Sequence, residues 1–160
     1  MSENNRPFRI LSLDGGGIRG VISARILQEV EKQIQEQHGQ SIAEYFDMVA
    51  GTSTGSLIAA GITVGYTPAD MIDIYKNQGM DIFPYQSLLS PARLKLMLKY
   101  GGLSVPKFSH DGLIKVVCGL EKFKKANGDF ITLGEAGRNS PDQEQPDPIL
   151  LILAYDAMYR

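Results

Sequence analysis

The stretch MVAGTSTGSLIAAG, from Met48 to Gly61, places Ser53 between two threonines and two glycines. The apolar residues before the serine predict a buried parallel strand, and the small residues after it predict a helix. A G-x-S-x-G sequence between a strand and a helix is typical of a nucleophile elbow, a sharp turn that lifts the serine hydroxyl above the sheet. Gly51 and Gly55 would let the two backbones approach closely. The pattern therefore predicts a nucleophilic serine, with a plain turn of small residues as the alternative.

A second glycine-rich turn precedes this one in the chain. Gly15, Gly16 and Gly17 follow Asp14 and an apolar strand over residues 8–13, and Gly20 completes a G-x-G-x-x-G motif. A dinucleotide site would need an acidic residue at the end of a second strand about twenty residues later, but a continuous helix occupies that position. Consecutive glycines at a helix N-terminus also offer backbone N–H groups to an oxyanion. Beside an elbow, the loop predicts an oxyanion hole, with a phosphate cradle and a plain turn as alternatives.

The segments around these turns predict an α/β protein with a mainly parallel sheet flanked by helices. Residues 21–39 predict an amphipathic helix ending at Gly39. Its expected buried face carries Val21, Ile22, Ile26, Val30 and Ile34. Thr67 and Pro68 predict the start of a further helix.

The second half of the chain is less regular. Residues 90–102 predict a helix whose Leu94, Met97 and Leu98 suit a core-facing stripe better than a membrane-surface face. A helix over residues 109–123, a short edge strand over 129–136 and a polar loop over 137–148 follow. The closing run ILLILAYDAMY predicts a central strand.

Composition excludes several classes of protein. The 160 residues carry a net charge of −2, and the absence of a dense Lys/Arg run argues against a nucleic-acid partner. A single cysteine, Cys118, excludes an internal disulfide. The polar start lacks a signal sequence and no apolar run reaches membrane-spanning length, so a cytoplasmic protein is expected. No metal-ligand spacing occurs, and neither a metal nor a cofactor is expected.

ILSLDGGGIRG followed by FDMVAGTSTGSLIAAG resembles the patatin-like phospholipases, the lipid acyl hydrolases. The resemblance extends from Phe8 over nearly all of the chain and implies a three-layer hydrolase architecture. It implies Ser53 as the nucleophile and the three glycines from Gly15 to Gly17 as the oxyanion hole. Arg19 matches a basic position of the family motif, which implies a contact with an anionic lipid headgroup; a surface ion pair is the alternative. The implied partner is a lipid acyl ester, with transient contact at a membrane surface.

The chain departs from the family pattern in one respect. The family uses a Ser–Asp dyad whose aspartate stands in a D-G-G or D-G-A turn downstream of the elbow, and no such turn follows Ser53 here. Neither Asp47, Asp111 nor Asp156 has a suitable setting, and His38 and His110 do not supply a triad. Because this turn is missing, we expect residues 8–160 to be the N-terminal portion of one domain. Residues 1–7 are expected to be a disordered polar tail. A catalytically inactive relative that binds lipid or protein is the alternative function.

Overall fold

The computed structural model describes residues 6–83, 110–136 and 148–154, and three parallel strands form its centre. The strands are β1 (Ile10–Leu13), β2 (Met48–Thr52) and β3 (Ile149–Leu153), in the spatial order β1-β2-β3. Leu13 pairs with Gly51, so β1 and β2 end side by side. Both glycine-flanked turns therefore leave the same carboxyl edge of the sheet, where ligands bind in open α/β folds. The predicted parallel α/β fold is confirmed.

The helices connect these strands in chain order. A 3₁₀ turn (Gly17–Arg19) leads into α1 (Gly20–His38), which is followed by α2 (Ile42–Tyr45), α3 (Thr54–Thr63), α4 (Pro68–Ile82), α5 (His110–Gly119) and a second 3₁₀ turn (Glu121–Phe123). Right-handed crossovers between strands that advance in one direction place their helices on one face of the sheet. The side chains agree, because Leu13 and Val49 are buried on that face while Leu151 and Leu153 on the other face are 43% and 62% exposed.

Helix ends follow the sequence signals closely. Thr67 and Asp70 form the reciprocal hydrogen bonds of a capping box at the start of α4, with Pro68 in the first turn, as predicted. Gly39 ends α1 in the left-handed region at φ 66°. The short helix α2 was not predicted, although Ser41 and Glu44 form a second capping box at its start.

The buried face of α1 differs from the predicted one. Ala24, Leu27 and Ile34 are buried, whereas Ile22 and Ile26 are 58% and 60% exposed. Small residues explain the difference, because Gly20 and Ala24, one turn apart, let α3 and α4 approach the helix closely. Hydrophobicity alone favours the larger isoleucines, so the prediction was wrong for those two positions.

Two predictions in the second half are corrected and others fall outside the described residues. The expected strand over residues 129–136 is reduced to a single antiparallel bridge between Lys124 and Phe130, followed by turns. Among the described strands β2 is central, whereas β3 lies at an edge. The helix predicted for residues 90–102, residues 137–147 of the predicted loop and residues 155–160 lie outside the described residues. Residues 1–5 of the expected disordered tail also lie outside the described residues.

Candidate active site

Ser53 has an unusual backbone conformation. At φ 51° and ψ −122° it is the one non-glycine residue with positive φ in the described ranges, and it stands exposed between β2 and α3. Such a conformation costs on the order of 1–3 kcal/mol and persists only where the surrounding structure imposes it. Strain of this kind at a strand-to-helix turn is what a nucleophile elbow requires.

The two glycines of the elbow are imposed by contact between backbones. A β-carbon on Gly51 would collide with the backbone of Gly55, and one on Gly55 would collide with the carbonyl of Leu13. The start of α3 therefore lies directly against the ends of both β1 and β2. This packing holds the serine in its strained turn.

The glycine loop rests against the elbow. A β-carbon on Gly15 would lie 2.8 Å from Cβ and 3.5 Å from Oγ of Ser53, so only a bare backbone fits beside this serine. The N–H of Gly15 donates to Oγ1 of Thr52 over 3.0 Å, and the N–H of Gly16 donates to Oγ1 of Thr54 over 3.0 Å. The structure thus brings together the two motifs that lie about forty residues apart in the chain.

The backbone donors of the loop differ in their availability. The N–H groups of Gly15 and Gly16 are already donating to the threonines. Gly17, at φ 60°, begins the 3₁₀ turn, in which Arg19 bonds back to Gly16 and Gly20 to Gly17. The first N–H groups of such a turn, those of Gly17 and Ile18, have no acceptor within it. They are the donors that this conformation can offer to a ligand.

Buried side chains from α3 and α4 pack against the start of α1, which follows the glycine loop. The Tyr75 side chain of α4 is 7% exposed, and a β-carbon on Gly20 would collide with its hydroxyl and lie 3.3 Å from Oγ1 of Thr54. Burial raises the pKa of Tyr75, with the neighbouring Thr54 side chain acting in the opposite direction. The Tyr75 hydroxyl meets no hydrogen-bond partner of good geometry among the described residues. Gly20 is therefore required where α1 begins over this pair of hydroxyls.

Two of the ionisable side chains considered as bases lie far from Ser53. Asp47 accepts two hydrogen bonds from the Arg6 guanidinium, at 2.8 and 2.7 Å, and one from the N–H of Arg9 at 2.9 Å. It precedes β2, so a strand rise of about 3.3 Å per residue puts it roughly 20 Å from Ser53. His38 is the last residue of α1, about 27 Å along that helix from Gly20, and its ring lies 5.1 Å from that of Tyr45. Both residues have local structural roles.

The other candidate bases are less well defined. Asp111 is exposed in the first turn of α5. The next residue, Gly112, lies so close to α4 that a β-carbon there would collide with the Asp81 carbonyl. Gly112 thus has a packing role inside the helix. The His110 side chain and Asp156 lie outside the described residues.

Arg19 occupies the open side of the glycine loop. It is exposed, and its Cβ lies 3.7 Å from where a β-carbon on Gly16 would be. Within residues 6–83, 110–136 and 148–154, Arg19 forms no ion pair. Its guanidinium is therefore uncommitted to a protein carboxylate in this part of the chain.

Other features of the described residues do not coincide with this site. An open groove of about 630 Å³ runs between α1 and α4, lined by Ile22, Ile26 and Lys76 among others, and includes neither Ser53 nor the glycine loop. In the part of the chain that the structure describes, no three His, Cys, Asp or Glu residues cluster as metal ligands would. No described helix combines the length and apolar character needed to cross a bilayer.

The fold and the site define a class of protein: a parallel α/β domain with a serine in a strained elbow and a glycine loop beside it. The chain belongs to the patatin-like phospholipase family, whose profile matches residues 11–141.

Named relatives agree with this assignment. The chain is 40% identical to Patatin-like protein 1 of Arabidopsis thaliana over 126 residues, which is 68% of this chain and 29% of that protein. It is 40% identical to the cGAMP-activated phospholipase of Vibrio cholerae over 81 residues, 49% of this chain and 23% of that protein. It is 42% identical to Patatin-2-Kuras 4 of Solanum tuberosum over 96 residues, 51% of this chain and 25% of that protein. The matches therefore span less than a third of each of these relatives.

Sequence reasoning did not assign roles to the two threonines of the elbow. The hydroxyls of Thr52 and Thr54 are the acceptors for the glycine loop. Their symmetric placement around the serine was the available signal. Only the approach of β1 and β2 revealed which backbone donors they meet.

Proposed function

We propose that the protein is a serine lipid acyl hydrolase with Ser53 as its nucleophile. The observation that carries the proposal is the strained, exposed backbone of Ser53 with Gly15 packed against it. Backbone strain is costly to maintain, and strained residues cluster at functional sites. The family relationship supplies the substrate class, an acyl ester of a glycerolipid.

The reaction proceeds in two steps. Oγ of Ser53 attacks the ester carbonyl carbon while its proton passes to a base, and the negative charge on the carbonyl oxygen is stabilised by N–H groups of the glycine loop. The C–O ester bond then breaks, the alcohol leaves with a proton, and an acyl-serine remains. Water attacks that acyl-serine in the second step and releases the fatty acid.

The base of the proposed dyad is an aspartate in a D-G-G or D-G-A turn beyond Arg160. Two observations support a base from elsewhere: Asp47 and His38 are about 20 Å or more from the elbow, and over two thirds of each relative's length lies outside the match. General-base assistance contributes typically 10²–10⁴-fold, so we expect no more than trace esterase activity from residues 1–160 alone. Comparison of their hydrolysis rate with that of a chain extended through the D-G-G/A turn tests this, and equal rates would contradict it.

Arg19 is the proposed contact for an anionic headgroup. Its exposure beside the glycine loop and its lack of an ion pair in the described residues support this role. Replacement by alanine is expected to raise KM for an anionic phospholipid while leaving KM for a neutral p-nitrophenyl ester unchanged. Arg25→Ala, on the exposed side of α1, is the matched control. An equal effect of Arg19→Ala on both substrates would contradict a headgroup contact.

The proposed lipid acyl hydrolase function also includes transient contact with a membrane surface and a cytoplasmic location.

The decisive experiment is covalent labelling. A fluorophosphonate probe is expected to label the complete gene product and to miss its Ser53→Ala variant, which should also lose p-nitrophenyl ester hydrolysis. The alternative function, a binding module without catalysis, predicts no labelling of either protein together with retained binding to lipid vesicles. Labelling of both proteins would place the nucleophile at another residue.

A further inference from the structure

The threonines on either side of Ser53 both reach across to the glycine loop. Oγ1 of Thr52, the last residue of β2, accepts the Gly15 N–H, and Oγ1 of Thr54, the first residue of α3, accepts the Gly16 N–H. Each bond measures 3.0 Å and joins residues nearly forty positions apart. The loop is therefore hydrogen-bonded to the elbow on both sides of the serine.

These two hydrogen bonds restrain the part of the backbone that has the greatest conformational freedom. Glycine has more conformational freedom to lose than any other residue, so three consecutive glycines need outside restraint to keep one conformation. Thr54 is 2% exposed and held by the first turn of α3, which makes it a rigid acceptor. The loop also has little room for error, because Gly15 packs on Cβ of Ser53.

We propose that Thr52 and Thr54 are positioning residues, whose hydroxyls hold the glycine loop in register with Ser53. The inference rests on the proposed function, because its purpose is to place oxyanion donors beside the nucleophile. The inference also reduces the number of backbone N–H groups that can serve as oxyanion donors. With the Gly15 and Gly16 N–H groups bound to threonine oxygens, the N–H groups of Gly17 and Ile18 are left to face a developing oxyanion.

Matched substitutions in the complete gene product test the role of each hydroxyl. Thr54→Val and Thr52→Val keep the shape of the side chain and remove the acceptor, whereas Thr54→Ser and Thr52→Ser keep the acceptor. Thr63→Val is the control, because Thr63 is equally buried in α3 but its hydroxyl donates to the carbonyl of Ala60, away from the loop. Three quantities are measured for each variant: kcat and KM for a p-nitrophenyl ester, the rate of fluorophosphonate labelling, and amide hydrogen exchange at Gly15 and Gly16.

For Thr54→Val we expect kcat and labelling to fall roughly 10- to 100-fold with KM nearly unchanged, since misplacing a catalytic group by about 1 Å costs that much. Exchange at Gly16 should accelerate by about tenfold, as expected for loss of one hydrogen bond. Thr54→Ser should restore both quantities, and Thr63→Val should change neither. Thr52→Val should produce the same pattern at Gly15.

Several outcomes would overturn the proposal. An unchanged kcat in both valine variants, an equal loss in Thr63→Val, or no rescue by serine would each exclude positioning by these hydroxyls. If the wild-type protein proves unreactive, the proposed function fails, but hydrogen exchange still decides whether the hydroxyls hold the loop. Unchanged exchange at Gly15 and Gly16 would then refute the restraint itself.

Discussion

The turns that follow β1 and β2 occupy equivalent places in the fold and are built in opposite ways. Both leave the carboxyl edge of a parallel sheet and lead towards a helix. The turn after β2 presents a side chain, Ser53, and holds it in a strained conformation by tight packing of its neighbours. The turn after β1 presents no side chain in its glycine run, and side chains of the other turn hold it in place.

Under the proposed function, the difference between the two turns separates two tasks at one site. A nucleophile needs a side chain in a fixed and exposed position, whereas an oxyanion hole needs bare N–H groups close to that side chain. The elbow is rigid because the Gly51 and Gly55 backbones touch each other and β1. The glycine loop derives its order from the elbow, so changes in the two turns should have different consequences.

The largest expected effect is on catalysis at Ser53. Ser53→Ala should lower kcat on the order of 10⁶-fold, the scale observed when a serine nucleophile is removed from a hydrolase. Its stability should hardly change, because only a hydroxyl is lost from an exposed site. Ser53→Gly should be equally inactive but more stable by about 1 kcal/mol, since glycine adopts a positive φ without strain. Ester hydrolysis and thermal unfolding check this, and a glycine variant less stable than the alanine variant would contradict the assigned strain.

The next effect is on stability, and it contrasts one glycine from each turn. Gly55→Ala places a methyl group into the Leu13 carbonyl and should destabilise the protein by roughly 3 kcal/mol. Gly17→Ala meets open space, so only its positive φ opposes it, at a cost of about 1 kcal/mol. Chemical denaturation of both variants gives the comparison. Equal losses would mean that the loop packs as tightly as the elbow.

A smaller effect is expected where the two turns touch. Gly15→Ala should push the loop away from Ser53 and reduce kcat by about a hundredfold, with a stability loss of about 1–2 kcal/mol. Gly16→Ala is the matched control, because its nearest neighbour would be Cβ of Arg19 at 3.7 Å. A β-branched residue at position 16 is bulkier than alanine and should also reduce kcat. If Gly16→Ala proved as damaging as Gly15→Ala, contact with Ser53 would not be the cause.

The smallest expected effect lies outside both turns, in the capping boxes of α2 and α4. Backbone hydrogen bonds from Ser41 and Thr67 lower the pKa of Glu44 and of Asp70, respectively. A lowered folded-state pKa means that the unfolded chain binds more protons, so this stability is present above about pH 4 and is lost as the pH falls further.

Both carboxylates are substantially exposed, so the contribution is about 0.5 kcal/mol each after solvent screening. Glu44→Gln and Asp70→Asn should each flatten the fall in unfolding free energy between pH 5 and 3. A steeper fall in either capping variant would contradict the sign of the effect.

The sequence by itself determined the features that depend on neighbouring residues. Strand, glycine-flanked serine and helix lie within fourteen residues, and that local pattern predicts a sharp turn at Ser53. The capping residues Thr67 and Asp70 and the left-handed Gly39 are local in the same way. The parallel order of the sheet followed from alternating strands and helices, because crossover connections have a preferred hand.

Only the tertiary structure decided the features that depend on distant residues. The buried face of α1 was mispredicted because Gly20 and Ala24, which are weakly hydrophobic, are where other helices approach closest. The engagement of Gly15 and Gly16 by Thr52 and Thr54 required β1 and β2 to pair in register first. Periodicity reports how apolar a face is, and motif spacing reports which residues sit at a turn. Neither reports which backbone donor meets which hydroxyl, because that depends on distances of a few tenths of an ångström between segments far apart in the chain.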